Sequence, residues 1–355
     1  MKLLQTLSQP KQFKEILDKL ISSSNRVVLS SLYLGHDLNK GTVMVDGQRA
    51  RRSPLKHNNT WYYNTNNYRK LLPFHLGELG ELYHCKVYIF DNSVVLSGAN
   101  LSHDYYTNRQ DRYYIVNNHH FADTMDNMMA LMRETNLFNE NIISVNKINK
   151  KVVEDLERQQ IFQLKKLKSA LGNKVSGTQI IPILNWPRVG LAFNIIQFLQ
   201  NYYHDSQFTI STAYFNPDSS LAAMIQNQAK VIVPSIQCHG FYGGKGLKKH
   251  VPMLYQHLVN QHQVYTYNRP NYTFHAKGIW IEDGNHLLTV IGSNNYGARS
   301  TKDVELDFIL YTDDKDMKLI IKEELNQLLQ FCNPRIIEPV PKWIQLWSIL
   351  SKRLL

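Results

Sequence analysis

The chain has 355 residues and a formal net charge of +11, so it can form one two-lobed domain or two domains, and an anionic partner is expected. Nucleic acid and an acidic membrane both meet that requirement. The three cysteines, Cys85, Cys238 and Cys332, form no Cys-x-x-Cys pair, which argues against structural zinc and for a reducing compartment. No apolar run approaches the roughly 18 to 20 residues that span a bilayer.

The amino-terminal region predicts a helix, a strand and then an irregular stretch. Residues 10–22 carry apolar side chains at helical spacing, and Ser8 is the expected cap. Residues 27–34 form an apolar run typical of a buried strand. Residues 35–61 contain glycines, a proline and a basic group around Arg49, and we interpret them as a loop with a fragment of helix.

Two later stretches repeat the same chemistry in the same order. His84 and Lys86 precede one apolar strand, and His275 and Lys277 precede another, so each pair points to one face of its strand. A carboxylate, a second strand, a glycine, an asparagine and a closing acid follow: Asp91, Gly98, Asn100 and Asp111 in the first repeat, and Glu282, Gly292, Ser293, Asn295 and either Asp303 or Glu305 in the second. A lone His-x-Lys is often a solvated surface pair, but two ordered copies predict a functional site.

The elements between and around the motifs support a duplication. They are helices at 120–136, 147–171 and 191–203, and strands at 180–183, 208–216 and 230–234. The strand at 208–216 is the counterpart of the strand at 27–34. A unit that occurs twice predicts an α/β fold with lobes at 1–170 and 171–355, the first motif at 84–100 and the second at 275–295.

Two further segments suggest contacts with phosphate or lipid. The glycine-rich turn at 239–246 follows a strand, so its backbone N–H groups could approach a phosphate, although most such turns are only turns. The stretch 342–355 predicts an amphipathic helix with two tryptophans, which suits a membrane interface. A helix docked on its own lobe would show the same pattern.

The duplicated motif resembles the signature of the phospholipase D superfamily, His-x-Lys-x4-Asp followed by Gly-x-Asn or Gly-Ser-x-Asn, with Glu282 where aspartate is usual. The segments SSLYLG, SGANLSHDYYTNRQDRYY, AYFNP, HGFYGGKG, VPMLYQH, TFHAKGIWI and IGSNNYGARS resemble the mitochondrial-type phosphatidylglycerophosphate synthases across about residues 27–310. This resemblance implies a phospholipase D-like fold, in which two pseudo-symmetric α/β/α lobes with mixed sheets share one active site at their interface. The first lobe looks shorter than that of the family after Gly35.

The resemblance also implies an activity. The family transfers the phosphatidyl group of CDP-diacylglycerol to sn-glycerol 3-phosphate and releases CMP, in the synthesis of phosphatidylglycerol and cardiolipin. The expected partners are these two substrates and an anionic membrane surface, with no nucleic acid, and the expected location is peripheral on the inner mitochondrial membrane. Two-histidine chemistry requires no cofactor and no metal site is expected, although a divalent cation could bridge the pyrophosphate of the donor.

Roles can be assigned to the motif residues. We expect His84 to be the nucleophile that forms a phosphatidyl-histidine, and His275 to be the acid and base, although the near-symmetry of the repeats leaves the reverse assignment open. Lys86 and Lys277 are expected to hold the phosphate oxygens together with three neutral side chains, those of Asn100, Ser293 and Asn295. The motif acids Asp91 and Glu282 are counted with the catalytic motif, and the resemblance implies that such an acid mainly supports the fold around the site.

Other side chains are candidates for orientation and substrate binding. Asp111 and Glu305 lie at comparable distances after the histidines of their own repeats and are expected to accept a hydrogen bond from each ring. The cations Arg109, Arg112, Arg299 and Lys302 could bind the phosphate of the acceptor, or could pair with Asp111 and Asp303. The aromatic side chains of Tyr33, Tyr214 and Phe241 could line the site or its acyl entrance, or could pack in the core.

Alternatives remain open both within this class of enzyme and in other classes of protein. Phosphatidylserine synthase, cardiolipin synthase and a hydrolytic phospholipase D share the chemistry at phosphorus and differ in donor or acceptor. A nuclease or tyrosyl-DNA phosphodiesterase of the superfamily would bind DNA with steep salt dependence. A catalytically silent lipid-binding module is opposed by the presence of both complete motifs.

Overall fold

A computed structural model describes residues 4–35, 38–51, 59–64, 80–140, 147–203, 205–217, 219, 221–223, 229–259, 264–334 and 339–351. Among these residues, two eight-stranded mixed sheets carry flanking helices, and each sheet belongs to one half of the chain. The prediction of an α/β fold with two lobes is therefore confirmed.

The first sheet has the strand order β1-β8-β6-β5-β2-β3-β4-β9. Its strands are β1 (Leu4–Leu7), β2 (Val27–Ser30), β3 (Thr42–Asp46), β4 (Thr60–Tyr63), β5 (Val87–Phe90), β6 (Ser93–Ser97), β8 (Tyr113–Asn117) and β9 (Phe138–Asn139). The helices of this lobe are α1 (Pro10–Ser23), α2 (Gly47–Ala50), α3 (His103–Thr107) and α4 (His119–Glu134), and a short strand β7 (Arg109–Gln110) lies outside the sheet.

The second sheet repeats that plan with the order β10-β17-β16-β15-β11-β12-β13-β18. Its strands are β10 (Thr178–Asn185), β11 (Phe208–Ser211), β12 (Ala229–Pro234), β13 (Val264–Tyr267), β15 (Gly278–Asp283), β16 (His286–Gly292), β17 (Glu305–Thr312) and β18 (Cys332–Pro334), and β14 (Thr273–Phe274) lies outside the sheet. The helices are α5 (Lys150–Asn173), α6 (Ile195–Tyr202), α7 (Val251–Val259), α8 (Lys315–Leu329) and α9 (Lys342–Ser351). In both sheets three strands run parallel, β2-β3-β4 and β11-β12-β13, and the strand that follows each His-Lys pair lies antiparallel to the first of them.

The backbones of the two lobes are joined directly. Strand β7 of the first lobe pairs in parallel with β14 of the second, and a single parallel bridge joins Tyr83 to Val304. A side chain on Gly98 would approach the carbonyl oxygen of Gly292 to 3.0 Å, so glycine permits the close approach of the two motifs. These contacts bring the segments that precede both histidines to the centre of the molecule.

Most predicted helices are confirmed, with one error in capping. α1 buries Phe13 and Leu17 as its apolar stripe predicts. Ser8 is not the cap, because the Gln12 side chain accepts hydrogen bonds from the backbone N–H groups of Ser8 and Gln9, and Gln9 takes the N-cap position. The predicted helices at 120–136, 147–171 and 191–203 correspond to α4, α5 and α6, and the predicted lobe boundary near residue 170 lies in α5, between the two sheets.

The stretch 35–61 contains the predicted fragment of helix as α2, but the interpretation of its other residues as loop is wrong for 42–46 and 60–61. This stretch supplies β3 and the start of β4, which complete the parallel part of the first sheet, and the Asp46 side chain caps α2 between them. β3 is only five residues long and is flanked by Gly41 and Gly47, so it is too short to give a clear strand pattern in the sequence. Residues 36, 37 and 52–58 lie outside the described residues.

The two central strands β2 and β11 are shorter than the predicted strands at 27–34 and 208–216. Each ends at a serine whose hydroxyl donates to a carbonyl between the paired His and Lys of its lobe, Ser30 to Cys85 at 3.1 Å and Ser211 to Ala276 at 3.0 Å. After these serines the chain leaves the sheet. Among the described helices, none has the length and apolar content needed to cross a bilayer.

Candidate active site

The two histidines are fixed to the opposite lobe by their backbones. The N–H of His84 donates to the carbonyl of Val304 at 2.9 Å, and the N–H of His275 donates to the carbonyl of Gln110 at 2.8 Å. Val304 and Gln110 directly precede the closing acids Glu305 and Asp111. Because the pairing is parallel, each acid stands beside the histidine of the other lobe.

The side chains form two crossed histidine–carboxylate pairs. His84 Nδ1 lies 2.9 and 3.0 Å from the two carboxylate oxygens of Glu305, and His275 Nδ1 lies 2.6 Å from Asp111 Oδ2. The expectation that these two acids orient the rings agrees with these contacts, but the expected pairing within each repeat is wrong. Each ring therefore donates from Nδ1, which leaves the Nε2 lone pair for chemistry.

Burial and neighbouring charge keep both imidazoles neutral. Burial, followed by the Lys86 ammonium, holds the pKa of His84 well below its ordinary value, and burial with Lys277 does the same for the pKa of His275. Burial also raises the pKa of Asp111 to about 6 and that of Glu305 to about 7. Neutral imidazoles at neutral pH suit a nucleophile and a general base.

The two lysines lie in the buried centre beside the rings. Lys86 Nζ donates to the carbonyl of its own His84 at 2.6 Å, and Lys277 Nζ donates to the carbonyl of His275 at 3.0 Å and lies 2.7 Å from its Nδ1. Burial lowers the pKa of Lys86 to about 7 and that of Lys277 to about 8. A phosphate that arrives between the rings would restore their full charge and gain two ammonium contacts.

Two of the neutral side chains predicted to bind phosphate are held by the protein. Ser293 donates to a carboxylate oxygen of Glu305 and accepts from the N–H of Leu306, so it fixes an acid rather than a phosphate. Asn100 accepts from the N–H of Leu32 and donates to the Tyr105 hydroxyl. Asn295 Oδ1, in contrast, is buried with no hydrogen-bond partner among the described residues.

The motif acids stand away from the reacting groups. Asp91 follows β5, and its carboxylate accepts from the N–H groups of Asn25 and Arg26, which closes the turn between α1 and β2. Glu282 is exposed near the end of β15 and pairs with Lys322 of α8 at 2.7 Å. Counting them with the catalytic groups is therefore wrong, and their support of the fold agrees with what the resemblance implies.

Of the three candidate arginines, Arg112 has a structural role, and Arg109 and Arg299 lie near the two histidines. Arg112 is buried and bonded to Glu324 at 2.6 Å, so its assignment to substrate phosphate is wrong. Arg109 lies over the Tyr105 ring and contributes to the low pKa of His275, and Arg299 contributes to the low pKa of His84. Arg299 also pairs with Asp303 at 3.4 Å, as the alternative interpretation expected, and Lys302 is exposed.

Of the aromatic candidates, Tyr214 contacts His275 directly, and Phe241 and Tyr33 lie farther out. The rings of Tyr214 and His275 meet edge to face with centroids 5.9 Å apart, and Phe241 packs on the far side of Tyr214 at 5.9 Å. The Tyr33 hydroxyl lies 3.5 Å from the Ser102 hydroxyl, close to the Asn100 segment. Tyr214 therefore lines the site, and Phe241 supports it from the glycine-rich turn.

Sequence reasoning missed two groups at the site. The Tyr105 hydroxyl lies 3.0 Å from His275 Nε2, and Arg49 lowers the pKa of His84 by its charge. Tyr105 sits in a Tyr-Tyr pair with no motif spacing, and Arg49 lies in the stretch interpreted as a loop. Only the geometry could reveal either residue. The described residues hold no group of three or more His, Cys, Asp or Glu side chains arranged to bind a metal ion.

The duplicated sheets and the crossed pairs define a protein of the phospholipase D-like fold, as the motifs predicted. A solved phosphatidylserine synthase from Haemophilus influenzae has the same fold, with a TM-score of 0.75, 18% identity and coverage of 99% of this chain and 95% of that one. No protein-family model matches the chain.

Relatives with curated names indicate which group of proteins with this fold the chain is related to. A CDP-diacylglycerol--glycerol-3-phosphate 3-phosphatidyltransferase of Saccharomyces cerevisiae is 29% identical over 94% of this chain and 82% of its own length. The enzyme of that name from Cricetulus griseus, described as mitochondrial, is 27% identical over 92% of this chain and 77% of its own length. The chain is thus a homologue of these phosphatidyltransferases, and the resemblance found in its motifs is confirmed.

Proposed function

We propose that this chain transfers the phosphatidyl group of CDP-diacylglycerol to sn-glycerol 3-phosphate, giving phosphatidylglycerophosphate and CMP. The observation that carries the proposal is the pair of neutral histidines, each held at Nδ1 by a carboxylate of the other lobe, in a chain whose relatives bear the name of this reaction. The product would enter the synthesis of phosphatidylglycerol and cardiolipin.

In the first half-reaction, His84 is the nucleophile. In the part of the chain that the structure describes, His84 Nε2 has no hydrogen-bond partner, whereas Nδ1 is held by Glu305. Nε2 attacks the phosphorus of the phosphatidyl group, the bond to the CMP oxygen breaks, and CMP departs. The imidazolium that forms in the phosphatidyl-histidine is stabilised by Glu305.

Positive charge surrounds the phosphorus during both steps. Lys86 and Lys277 are buried beside the rings, and Arg49 and Arg299 lie close enough to lower the pKa of His84. These cations would stabilise the extra negative charge of the pentacoordinate transition state in a buried setting, where charge interactions are strong. The mechanism needs no resident metal ion, and a divalent cation would act only through the pyrophosphate of the donor.

In the second half-reaction, His275 is the base for the acceptor hydroxyl. The hydroxyl oxygen attacks phosphorus, the P–Nε2 bond to His84 breaks, and the hydroxyl proton moves to His275, whose imidazolium Asp111 stabilises. Arg109, on the same side as His275, is the cation placed best for the second phosphate of glycerol 3-phosphate.

An acceptor panel tests this function. Purified protein on CDP-diacylglycerol vesicles should release CMP and form lipid product with glycerol 3-phosphate but not with serine, phosphatidylglycerol or water. Phosphatidylserine formation, a second phosphatidyl transfer or free phosphatidic acid would each replace the proposal by the corresponding superfamily reaction. Cleavage of DNA without any CMP release would favour the nuclease.

The lipid donor lies in a membrane, and we propose that α9 binds the protein to the surface of that membrane. One face of α9 is docked on α7 through Ile344 and Leu254, so the docked interpretation holds for that face. The other face is apolar and exposed, with Trp343, Leu346, Ile349 and Leu350. His250 packs against Trp343 with ring centroids 4.8 Å apart, which brings the turn with Lys245, Lys248 and Lys249 to α9, and Lys342 begins that helix. These cations suit an anionic leaflet and support a peripheral location on the inner mitochondrial membrane. Residues 352–355 of the predicted helix lie outside the described residues.

Polar substitutions on the exposed face of α9 should weaken membrane binding. The triple variant Trp343→Ser, Leu346→Ser and Leu350→Ser is expected to bind cardiolipin-containing vesicles at least about tenfold more weakly in a flotation assay, because it removes apolar area from the interface. The control is Phe162→Ser, which removes an equally exposed aromatic side chain from α5. Equal binding by the triple variant and the control would remove α9 from the proposal.

A further inference from the structure

The two histidines differ at the nitrogen that does chemistry. Among the described residues His84 Nε2 has no hydrogen-bond partner, whereas His275 Nε2 lies 3.0 Å from the Tyr105 hydroxyl and 3.1 Å from Lys277 Nζ. The Tyr105 and His275 rings also meet edge to face with centroids 5.0 Å apart. The pseudo-symmetry of the lobes is therefore broken at the reacting atoms, because a hydroxyl that can both accept and donate a proton contacts His275 Nε2 and, among the described residues, none contacts His84 Nε2.

The hydrogen bonds around Tyr105 run in one direction. Asn100 Oδ1 accepts the N–H of Leu32, so its amide Nδ2 must point at Tyr105 and donate to the hydroxyl oxygen at 3.1 Å. The Tyr105 hydroxyl then donates to His275 Nε2, and His275 Nδ1 donates to Asp111. Because burial raises the pKa of Tyr105 well above its ordinary value, the hydroxyl keeps its proton and acts as the donor. Asn100, Tyr105, His275 and Asp111 thus form a chain of oriented donors.

The second lobe has a different side chain at the corresponding position. Counting back equally from the two closing acids, Tyr105 before Asp111 corresponds to Arg299 before Glu305. Arg299 supplies positive charge near His84, whereas Tyr105 supplies a neutral hydroxyl to His275. A cation stabilises negative charge at the phosphorus that His84 binds, whereas a hydroxyl can pass a proton to His275.

We propose that Tyr105 relays the proton of the acceptor hydroxyl to His275 during the second half-reaction. As the acceptor oxygen bonds to phosphorus and the bond from phosphorus to His84 breaks, the acceptor proton passes to the Tyr105 oxygen. The Tyr105 proton passes to His275 Nε2 in the same step, so Tyr105 ends neutral and His275 ends as an imidazolium beside Asp111. This inference rests on the proposed transferase function and adds a third residue to its proton path.

The two half-reactions respond differently to loss of this hydroxyl. CMP leaves as a phosphate monoester whose second pKa is near 6, so its departure needs no proton from the protein. The hydroxyl of glycerol 3-phosphate is far less acidic and needs a base. A relay through Tyr105 therefore acts in transfer to glycerol 3-phosphate and leaves exchange of CMP with CDP-diacylglycerol nearly unchanged.

The test compares both half-reactions in Tyr105→Phe. Transfer to glycerol 3-phosphate is expected to fall about 100-fold in kcat. Exchange of radiolabelled CMP into CDP-diacylglycerol should stay within about threefold of the wild-type rate, since the phosphate leaving group needs no acid. The control is Tyr106→Phe, which removes a hydroxyl from the neighbouring tyrosine on α3, whose ring packs against Phe13. Both of its rates should match the wild type.

Each other outcome overturns the relay. Equal losses of exchange and transfer in Tyr105→Phe would show a structural role, and unchanged transfer would show that the proton reaches His275 without Tyr105. Failure of the proposed function is distinguishable, because it appears in the wild-type protein as an absence of CMP exchange or of transfer to glycerol 3-phosphate.

Discussion

Replacing His84 by alanine is expected to lower both CMP exchange and transfer to glycerol 3-phosphate by at least about 10⁴-fold, as loss of a covalent nucleophile does in other enzymes. The proposed mechanism gives His84 this role because the Glu305 carboxylate holds its Nδ1 and because its Nε2 has no hydrogen-bond partner among the described residues. In the proposed mechanism both half-reactions pass through the same phosphorus–nitrogen bond, so neither should survive without the ring. Exchange of labelled CMP and formation of labelled lipid, measured on the same protein sample, test the prediction.

His275→Ala provides the matched comparison. This variant should lose transfer to a similar extent but keep much of its CMP exchange, because CMP departs without a proton. His103→Ala on α3 removes an exposed imidazole near the site and should keep both activities. If His84→Ala retained exchange and His275→Ala lost it, the nucleophile would be His275 and the two roles would be reversed.

The sequence predicted the architecture because duplication leaves a pattern that needs no tertiary information. Two His-Lys pairs in the same order, each before an apolar strand, were sufficient to place the site between two lobes. The errors lie where a short element escaped the pattern, as in β3, or where a contact depends on how the lobes meet. Glu305 and Asp111 were identified, but their partners are determined by the bridge between Tyr83 and Val304 and by the pairing of β7 with β14.

The same limit explains the residues given the wrong role. The sequence does not distinguish a polar side chain that faces the substrate from one that bonds to the protein, when both lie beside a motif. Ser293 donates to Glu305, and Asn100 links the N–H of Leu32 to Tyr105, so both build the framework of the site. Which hydrogen bonds a buried group satisfies is a property of the folded chain.

Arg112 joins the two lobes, and its replacement is expected to cause a large loss in the free energy of unfolding. Its side chain crosses from the residue before β8 of the first lobe into the second, where it bonds Glu324 of α8 at 2.6 and 2.9 Å and the carbonyl of Val290 at 2.5 Å. It also lies 4.1 Å from the centroid of the Trp280 ring. The guanidinium passes over Gly278, where any Cβ would collide with it, so this position in β15 accommodates the crossing.

Arg112→Met should lower the free energy of unfolding by about 3–5 kcal/mol, because it leaves the buried carboxylate of Glu324 without its cation. Urea unfolding followed by tryptophan fluorescence measures the change. The double variant Arg112→Met with Glu324→Met should recover part of the loss, since no unpaired charge then remains buried. Lys322→Met, which breaks the exposed pair of the same helix with Glu282, should change the free energy by less than about 1 kcal/mol. A single-variant loss as small as that of Lys322→Met would mean that the lobes are held by their backbone pairing rather than by this ion pair.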